Sequence, residues 1–545
     1  MVNIKMRGAE HVARALRDKG IETVFSLSGN QIMPVYDALF GTGIRIIHTR
    51  HEGSAVYMAE AAAQITGNVG IVLITAAPGF ANGLSAMYTA RASETPLVIL
   101  SGDSPLSRDG RGAFQELDQC TAASALVKAS FRAAGPSGLY DDVIRAIELA
   151  QCDRPGPVHL ALPDDVLRSV AIVDTAATVI PRPIRQVEAT ATADLIEEIQ
   201  AAVADSASPM FLGGPAFCRP SGKCIMRNLS AHFNVPAVTF ESPRGLRAPR
   251  LGAFAEVAGK ADLVVTFDKP LDFMIGFGDA PILNSACNII QIDPEAEVLA
   301  RDRTAHAERN LRQHCASSAV VIRHLLATKE QVQHGANIWR EEVESAIAYR
   351  PPSWERAPTA GPINSLCFAT AISTYMASHP DATLIIDGGE IGQWSQALAD
   401  ADVAIINGPS GAIGASIPYA IGAQVARSDA PVLSVMGDGT AGFYLAEFET
   451  AVRTNTPFVA LIGNDAKWNA EHQIQLRDYG EERAFACELT PARYDRVATE
   501  LGGYGEHITE VEHILPAIDR AFASGKPACI NVSINGQAAP AISRK

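Results

Sequence analysis

The sequence has little positive charge and no long apolar run, and these two shortages exclude several classes of protein. Its 545 residues carry 45 Lys and Arg against 60 Asp and Glu, a formal net charge of −15. This balance argues against nucleic acid or an anionic membrane as a partner. No apolar run reaches the ~18 residues of a membrane span, and the start, MVNIKMRGAEHVARAL, lacks a signal-peptide core. We expect a cytoplasmic protein that acts on small molecules.

Closely spaced cysteines are also lacking. The nine cysteines are scattered singly in apolar surroundings, with no CxxC spacing. Such cysteines are typical of reduced core thiols rather than of metal ligands or a disulfide framework. Hydrophobic residues make up 47% of the chain and charged residues 19%, so the protein is predicted to be globular, and its length predicts two to four domains.

The most informative stretch is Gly437-Asp438-Gly439, which is followed 24 residues later by Asn464-Asp465. The sequence predicts a buried strand over 431–436, a glycine turn, a helix over 445–454 and a second buried strand over 457–462. Asp438 and Asp465 then share the carboxyl edge of a parallel sheet, where open α/β sheets bind ligands. Glycine amides at a helix start favour phosphate, and two carboxylates beside phosphate suit Mg²⁺.

The first ~165 residues alternate strands and helices and predict a doubly wound sheet. Helix 9–19 precedes strands at 23–27, 44–48, 70–75, 96–101 and 158–161. The polar and glycine-rich segments after these strands define a second ligand edge, which comprises residues 28–31, Glu52, 77–82 and 113–116. Glu52 is the candidate carboxylate there, although a carboxylate at a helix start also interacts favourably with the helix dipole.

The pattern predicts an α/β fold with three doubly wound parallel-sheet domains, at residues 1–167, 190–335 and 358–545. A low-periodicity linker is predicted over 168–190, and a Pro-rich one leads into the last domain. The middle domain has a Gly213-Gly214 turn without the full dinucleotide fingerprint. The sequence therefore neither supports nor excludes FAD or ADP in that domain.

Several motifs together resemble one family over essentially the whole length. They are RHE at 50–52, APGFANG at 77–83, AFQELDQ at 113–119, RPGPVHLALP at 154–163, QIDP at 291–294 and SGAIGASIPYAIGA at 410–423, with GDG and ND. The chain resembles the thiamine-diphosphate-dependent enzymes of the acetolactate synthase, benzaldehyde lyase and oxalyl-CoA decarboxylase group. This resemblance implies a pyrimidine-binding domain, a middle domain and a diphosphate-binding domain, in that order.

The resemblance also implies roles for individual residues. Glu52 would bond the pyrimidine N1′, while Gly411 and Ile413 would hold the folded cofactor. Mg²⁺ would be bound by Asp438, Asp465 and the backbone carbonyl of Lys467. Further cofactor-binding positions implied by the resemblance are Asn82, Glu390, Ile391, Gly439 and Thr440, and the implied catalytic positions are Gln31 and Gln115.

Three departures from the family pattern bear on the reaction. Asp465 replaces the usual asparagine of the metal pair. Gln31 stands where benzaldehyde lyase has a catalytic histidine, and glutamine cannot titrate. Proton transfer would then fall to Gln115, the cofactor amine, water, His51 or His472. Ile474 replaces a tryptophan that acetolactate synthases use to select their second substrate.

We therefore predict a thiamine-diphosphate-dependent carbon–carbon lyase or carboligase, a homodimer or homotetramer. Its substrate would be a 2-oxo acid or a 2-hydroxy carbonyl compound, converted through a carbanion and enamine of the cofactor. The alternatives are a 2-hydroxyacyl-CoA lyase or oxalyl-CoA decarboxylase, since APGFANG, ELDQ and KPLDFMIGFG (269–278) are shared with that branch. A further alternative is a non-catalytic regulatory homologue that keeps the fold.

Overall fold

The computed structural model of the protein describes residues 3–174, 192–328 and 337–544. Within them the contacts between Cα atoms define two compact units. Unit 1 contains the described residues up to 174 together with 417–429 and 444–457. Unit 2 contains the remaining described residues. The domain boundaries expected from the sequence stay a prediction.

Unit 1 is built on a six-stranded parallel sheet in the order β3-β2-β4-β5-β7-β6, and an antiparallel pair, β1 with β8, accompanies it. Strands β4 and β5 are buried along their whole length because helices cover both faces, which explains their continuous apolar sequences. The strands are β1 (Asn3–Arg7), β2 (Thr23–Ser26), β3 (Arg45–His48), β4 (Gly70–Ile74), β5 (Leu97–Asp103), β6 (Ala129–Arg132), β7 (Pro157–Pro163) and β8 (Val170–Asp174). The helices are α1 (Gly8–Asp18), α2 (Met33–Leu39), α3 (Glu52–Thr66), α4 (Pro78–Ala92), α5 (Gln119–Ser124), α6 (Leu139–Gln151) and α7 (Asp164–Arg168).

The first sheet of unit 2 has five parallel strands in the order β10-β9-β11-β12-β13. Two separate apolar clusters, one on each face, form its core. The strands are β9 (Pro209–Gly213), β10 (Ala237–Thr239), β11 (Leu263–Phe267), β12 (Asn288–Asp293) and β13 (Leu311–Cys315). The helices are α8 (Ala193–Asp205), α9 (Pro220–Phe233), α10 (Ala255–Ala258), α11 (Ala296–Ala305), α12 (Ser318–Ala327) and α13 (Asn337–Ala348).

The second sheet of unit 2 has six parallel strands in the order β15-β14-β16-β17-β19-β18. Its strands are β14 (Thr383–Ile386), β15 (Val403–Ile406), β16 (Val432–Gly437), β17 (Val459–Asn464), β18 (Tyr504–Ile508) and β19 (Ala528–Ser533). The helices of this part of the chain are α14 (Ser365–Ser378), α15 (Gly389–Leu398), α16 (Ser416–Ala426), α17 (Asp438–Ala441), α18 (Glu447–Thr454), α19 (Asn469–Tyr479), α20 (Tyr494–Glu500) and α21 (Ile514–Ala523).

The two six-stranded sheets have the same strand order when each is counted from its first strand. In both sheets the second strand lies on one side of the first strand and the third strand lies on the other side. The strand order therefore reverses between β2 and β4 in unit 1 and between β14 and β16 in unit 2. Ligands of open α/β sheets bind at the carboxyl ends of such strands. The predicted α/β class with three doubly wound parallel sheets is confirmed.

Three local predictions were wrong. The predicted linker 168–190 begins with strand β8, which pairs with β1, while residues 175–191 lie outside the described ranges. The glycine turn at 437–439 is the start of a short helix, α17, and the next helix begins at Glu447 instead of Leu445. Strands β6, β13, β18 and β19 were not predicted. The first three have mixed, partly exposed sequences, and β19 is buried but carries a polar Asn531 within its apolar residues, so none gives a continuous apolar signal.

No helix in the described ranges is both long enough and apolar enough to cross a membrane.

Candidate functional site

The Glu52 carboxylate is buried at the ligand edge of unit 1. Glu52 is the first residue of α3, after the end of β3, and is 7% exposed. The side-chain amide of Asn82 donates to its Oε2 over 2.9 Å. A Cβ atom on Gly79 would lie 2.9 Å from Oε1, so glycine at this position leaves space beside the carboxylate. Oε1 accepts no hydrogen bond from any described residue, which leaves it available to a ligand.

Gln31 and Gln115, the two predicted catalytic residues, are in direct contact. Gln31 Nε2 donates to Gln115 Oε1 over 2.7 Å, and Thr75 Oγ1 donates to Gln31 Oε1 over 2.8 Å. Gln115 has a φ of 59°, a left-handed conformation that non-glycine residues adopt at a cost and that concentrates at functional sites. Sequence reasoning missed Thr75, because it directly follows a buried strand and carries no motif of its own.

The Gln31 network lies beside Glu52. The position that a Cβ atom on Gly79 would take is 2.6 Å from Thr75 Cγ2 and 2.9 Å from Glu52 Oε1. The Thr75 methyl group and the Glu52 carboxylate therefore both face Gly79, and Thr75 is also bonded to Gln31. Four of the unit 1 residues singled out by the sequence, Gln31, Glu52, Asn82 and Gln115, thus lie near one another, and we call this group the Glu52 cluster.

The histidines proposed as proton carriers have other surroundings. His51 caps α3: its Nδ1 accepts from the Gly53 amide over 3.0 Å, and its ring stands edge-on to Tyr444 at 5.4 Å. His472 lies on α19, and its Nδ1 is buried without a partner among the described residues. His48, which the sequence analysis did not single out, lies with its Nε2 3.1 Å from Ser28 Oγ.

The carboxylates of Asp438 and Asp465 interact at the ligand edge of unit 2. Asp438 is the first residue of α17, and Asp465 follows the end of β17. Burial, followed by the charge of Asp465, raises the pKa of Asp438 to about 7. Burial also raises the pKa of Asp465, while the backbone amide of Lys467 opposes this shift. Two adjacent carboxylates, of which Asp438 is buried and Asp465 half-buried, are unfavourable without a compensating cation.

The residues present at this pair fit a hard cation. Asp438 Oδ2 is buried and has no hydrogen-bond partner among the described residues. Carboxylate oxygens are the ligands that Mg²⁺ prefers, and this ion keeps several positions for water or phosphate. No cluster of three His, Cys, Asp or Glu side chains suited to a metal occurs in the described ranges. A cation here would thus have to take its other ligands from backbone, water or a bound molecule.

Eight of the nine unit 2 residues predicted from the sequence line one cavity around this pair. They are Glu390, Ile391, Ile413, Asp438, Gly439, Thr440, Asp465 and Lys467. Gly411 is not among the lining residues; it is exposed at a φ of 68° in the loop that leads to Ile413. Gly439 is required for space, because a Cβ atom there would lie 2.7 Å from the Trp468 ring.

Asp387 fixes the loop that carries Ile413, and its role was missed in the sequence. It follows β14 and is buried. Its carboxylate accepts from the amides of Gly388, Gly414 and Ser416 and from Ser416 Oγ, over 2.7 to 3.2 Å. Burial nevertheless raises its pKa. Its partners are up to 29 residues away, which is why sequence spacing did not reveal it.

The C-terminal segment passes beside Asp465. A Cβ atom on Gly536 would lie 1.9 Å from Asp465 Oδ2, so only glycine fits there. The carbonyl of Gln537 accepts from Asn469, and that of Ala538 accepts from Trp394 Nε1. This segment therefore packs against Asp465 and Asn469, two residues of the cavity wall. Ile474, at the position of the family tryptophan, is 44% exposed on α19.

Two family models match the chain at the positions of these two edges. Residues 6–122 match the N-terminal TPP binding domain of thiamine pyrophosphate enzymes, and residues 387–532 match their C-terminal TPP binding domain.

Curated relatives align over 97% of the chain. A probable acetolactate synthase of Mycobacterium bovis is 29% identical and covered over 95% of its length. The 2-hydroxyacyl-CoA lyase 2 of Homo sapiens is 27% identical and covered over 90%, and the oxalyl-CoA decarboxylase of Escherichia coli is 26% identical and covered over 95%.

A solved structure, the thiamine diphosphate-dependent 4-hydroxybenzoylformate decarboxylase of Rhodococcus jostii RHA1, shares the fold. Its TM-score is 0.81 at 20% identity, over 98% of this chain and 100% of that one. Both matched domains contain a cluster described above, Glu52 in the first and Asp438 in the second. The chain therefore belongs to the thiamine-diphosphate-dependent enzymes, within the group that contains carbon–carbon lyases and carboligases.

Proposed function

We propose that this enzyme forms or breaks a carbon–carbon bond next to the carbonyl of a 2-oxo acid or a 2-hydroxy carbonyl compound, with thiamine diphosphate and Mg²⁺ as cofactors. The observation that carries the proposal is the pairing of Gln31 with Gln115 beside Glu52. This edge offers a buried carboxylate for the cofactor and two neutral amides for a carbonyl substrate. Bound thiamine diphosphate supplies a nucleophilic carbon that adds to carbonyl groups and accepts the electrons of a broken bond.

Glu52 is proposed to hold a proton at the pyrimidine end of the cofactor. Its Oε1 is free of hydrogen bonds from the described residues, and Asn82 orients the carboxylate through Oε2. A carboxylate at hydrogen-bonding distance from a ring nitrogen stabilises the protonated ring, which is the role of a general acid–base group. Burial keeps water away from this proton.

Asp438, Asp465 and the Lys467 carbonyl are proposed as Mg²⁺ ligands. Mg²⁺ requires few protein ligands when phosphate supplies the others. The amides at the start of α17, including those of Gly439 and Thr440, favour a diphosphate. Glu390, Ile391, Gly411 and Ile413 are proposed to position the rest of the cofactor. Asp387 supports them by holding the 408–414 loop.

Gln31 and Gln115 are proposed to bind the substrate carbonyl and hydroxyl groups. Neither side chain can titrate, so they orient the substrate and do not carry its proton, and we no longer assign Gln115 the proton-transfer role that the sequence analysis allowed it. The Gln31 amide oxygen already accepts from Thr75, which fixes the direction in which its NH₂ group donates. A neutral amide pair tolerates several substrates, which is consistent with either carboligation or cleavage.

A second candidate function is cleavage of a 2-hydroxyacyl-CoA or decarboxylation of oxalyl-CoA. Relatives named for these reactions align over 97% of the chain at 26–27% identity, close to the 29% of the acetolactate synthase relative. Phe114, where oxalyl-CoA decarboxylases carry a tyrosine, argues against the decarboxylase. We also propose a homodimer or homotetramer, as family members use, and a cytoplasmic location, which the nine free cysteines support.

A substrate panel tests the proposed function. The holoenzyme is incubated with 2-oxo acids, benzoin-type ketols and 2-hydroxyacyl-CoA thioesters, and products are identified by mass spectrometry. We expect a product with one carbon–carbon bond made or broken, and its loss in Glu52→Gln. If C2 of the bound cofactor exchanges its proton but no member of the panel reacts, the cofactor assignment stands and the substrate class is wrong.

A further inference from the structure

A cavity of about 500 Å³ opens at the ligand edge of unit 1, beside the Gln31 network. Its volume lies within the range of small-molecule sites. Gln31 lines it from one side, and Arg108, Arg111, Phe114, Asp164 and Arg168 contribute to the rest of the wall. The Phe114 side chain is 73% exposed, which is unusual for a phenylalanine and leaves its ring available to a ligand.

The cavity wall carries more positive than negative charge. Arg168 is paired with Asp164, with its Nε 2.9 Å from Oδ2. The guanidinium groups of Arg108 and Arg111 form no hydrogen bond or ion pair with any residue in the part of the chain that the structure describes. Two positive charges therefore face a cavity without a compensating anion from the wall.

The acidic residues nearby are engaged elsewhere. Asp109, between the two arginines, is bonded to Arg132 over 2.7 Å. The Glu116 carboxylate accepts from the amide of Ala113 over 2.9 Å and from that of Gly110. The Asp109 carboxylate is thus paired with Arg132, and the Glu116 carboxylate is bonded to backbone amides of its own loop. These bonds give the 108–116 loop a defined backbone shape, which places Arg108 and Arg111 at the cavity wall.

Gln31 belongs both to the cavity wall and to the proposed reaction site. Thr75 is bonded to Gln31, and Thr75 lies beside Glu52 at the position of Gly79. A substrate whose carbonyl binds Gln31 and Gln115 can thus extend its far end toward Arg108 and Arg111. Guanidinium groups bind carboxylate and phosphate through charge-assisted hydrogen bonds.

We infer that Arg108 and Arg111 select substrates with a second anionic group, carboxylate or phosphate, at the end remote from the reacting carbonyl. The inference rests on the proposed function and narrows its substrate class. It predicts that binding weakens with ionic strength, because both arginines are exposed and their interactions with an anion are screened by salt.

Equilibrium binding tests the inference without turnover. The Glu52→Gln holoenzyme, loaded with thiamine diphosphate and Mg²⁺, is titrated calorimetrically with 2-oxoglutarate and with its distal amide, 2-oxoglutaramate. A parallel pair compares a 2-hydroxyacyl-CoA with the corresponding pantetheine thioester, which lacks the nucleotide phosphates. We expect the anionic member of at least one pair to bind more tightly, and the responding pair identifies carboxylate or phosphate.

The same titrations are repeated after Arg108→Gln and Arg111→Gln have been introduced together into the Glu52→Gln holoenzyme. Arg17→Gln, on α1, is the control that removes a positive charge elsewhere. We expect the double variant to weaken the anionic ligand by about 10- to 100-fold and to leave its neutral partner and cofactor affinity unchanged. Arg17→Gln should change neither. Equal binding of the anionic and neutral members in both pairs, or an equal loss for both in the double variant, overturns the inference. The substrate panel judges the proposed function separately, because it includes substrates with no distal anion.

Discussion

The two six-stranded sheets share one strand order, yet their ligand edges are in opposite electrostatic conditions. At the unit 1 edge, hydrogen bonds orient the side chains of the Glu52 cluster: Asn82 donates to Glu52, Thr75 donates to Gln31, and Gln31 donates to Gln115. At the unit 2 edge Asp438 and Asp465 repel each other, and Asp438 Oδ2 is buried without a partner among the described residues. The first edge is preorganised, whereas the second needs a cation to be complete.

This difference indicates that the two sheets, although they share one topology, have different functions. A preorganised hydrogen-bond network holds reacting groups in place without reorganisation at the moment of reaction. A pair of adjacent carboxylates, in contrast, is electrostatically unfavourable, and the proposed Mg²⁺ would relieve this repulsion. Substitutions at the unit 2 edge should therefore affect cofactor retention, and those at the unit 1 edge should affect the rate.

The largest expected effect comes from Asp438→Ala. Magnesium and thiamine diphosphate are each held largely through the other, so removing this ligand should abolish binding of both and all activity. Equilibrium dialysis with metal analysis measures the two occupancies. Asp519→Ala removes an exposed aspartate on α21 of the same unit and should leave both at the wild-type level. Full cofactor occupancy in Asp438→Ala would contradict the metal assignment.

Glu52→Gln should produce the next largest effect, on rate alone. The amide preserves the shape of the side chain and its packing beside Gly79, so cofactor binding should survive. Turnover should fall by roughly 10²- to 10⁴-fold, the usual contribution of a general acid–base group. Hydrogen–deuterium exchange at C2 of the bound cofactor measures the affected step directly.

Glu60→Gln is the matched control for Glu52→Gln, because Glu60 is a second buried glutamate of α3, bonded to Tyr419. Its C2 exchange should remain fast. If exchange in Glu52→Gln is as fast as in wild type, Glu52 only stabilises the start of α3.

Magnesium binding should release a proton in a window set by Asp438. Its pKa of about 7 means that most molecules carry this proton at pH 6 and few do at pH 8.5. Titration calorimetry in two buffers with different ionisation enthalpies should show release of about one proton per Mg²⁺ at pH 6 and almost none at pH 8.5. Proton release that is independent of pH would place the metal elsewhere.

The raised pKa of Asp438 also determines whether the stability of the folded protein rises or falls with pH. Between the ordinary pKa of an aspartate, 3.8, and about 7, the metal-free folded state binds more protons than the unfolded state. The contribution of Asp438 to stability is therefore lost as the pH rises through this window. Saturating Mg²⁺ should remove this loss, because the cation replaces the proton. Thermal unfolding at pH 5 and pH 8, with and without Mg²⁺, measures the difference.

The sequence predicted where the candidate residues lie in the fold, because these residues come at or shortly after strand ends. Asp438 and Asp465 directly follow β16 and β17, and Glu52 begins α3 shortly after β3. Periodicity locates strand ends even when helix starts are misplaced by a few residues. The sequence predicted the cofactor through motifs that spread over both six-stranded sheets. These motifs are formed by residues close together in the sequence, so they can be recognised from the sequence alone.

The features that the sequence did not predict depend on contacts between residues that are far apart in the chain. Strands β1 and β8 pair across more than 160 residues, so no short turn between them indicates the pairing. Asp387 and Thr75 act through partners that lie 27 to 44 residues away. Side-chain directions of this kind follow from packing of the folded chain, which explains why Arg108 and Arg111 were not singled out.

The smallest expected effect, and the sharpest test of the contrast between the edges, is Asp465→Asn. The amide oxygen remains a hard ligand, while one negative charge beside the diphosphate is removed, so cofactor affinity should change by less than about 10-fold and in the direction of tighter binding. The charge of Asp465 contributes to the raised pKa of Asp438. Its removal should therefore lower that pKa and reduce proton release at pH 6, even though burial still acts. If affinity rises but proton release at pH 6 is unchanged, the strain at the unit 2 edge comes from burial of Asp438 and not from repulsion between the carboxylates.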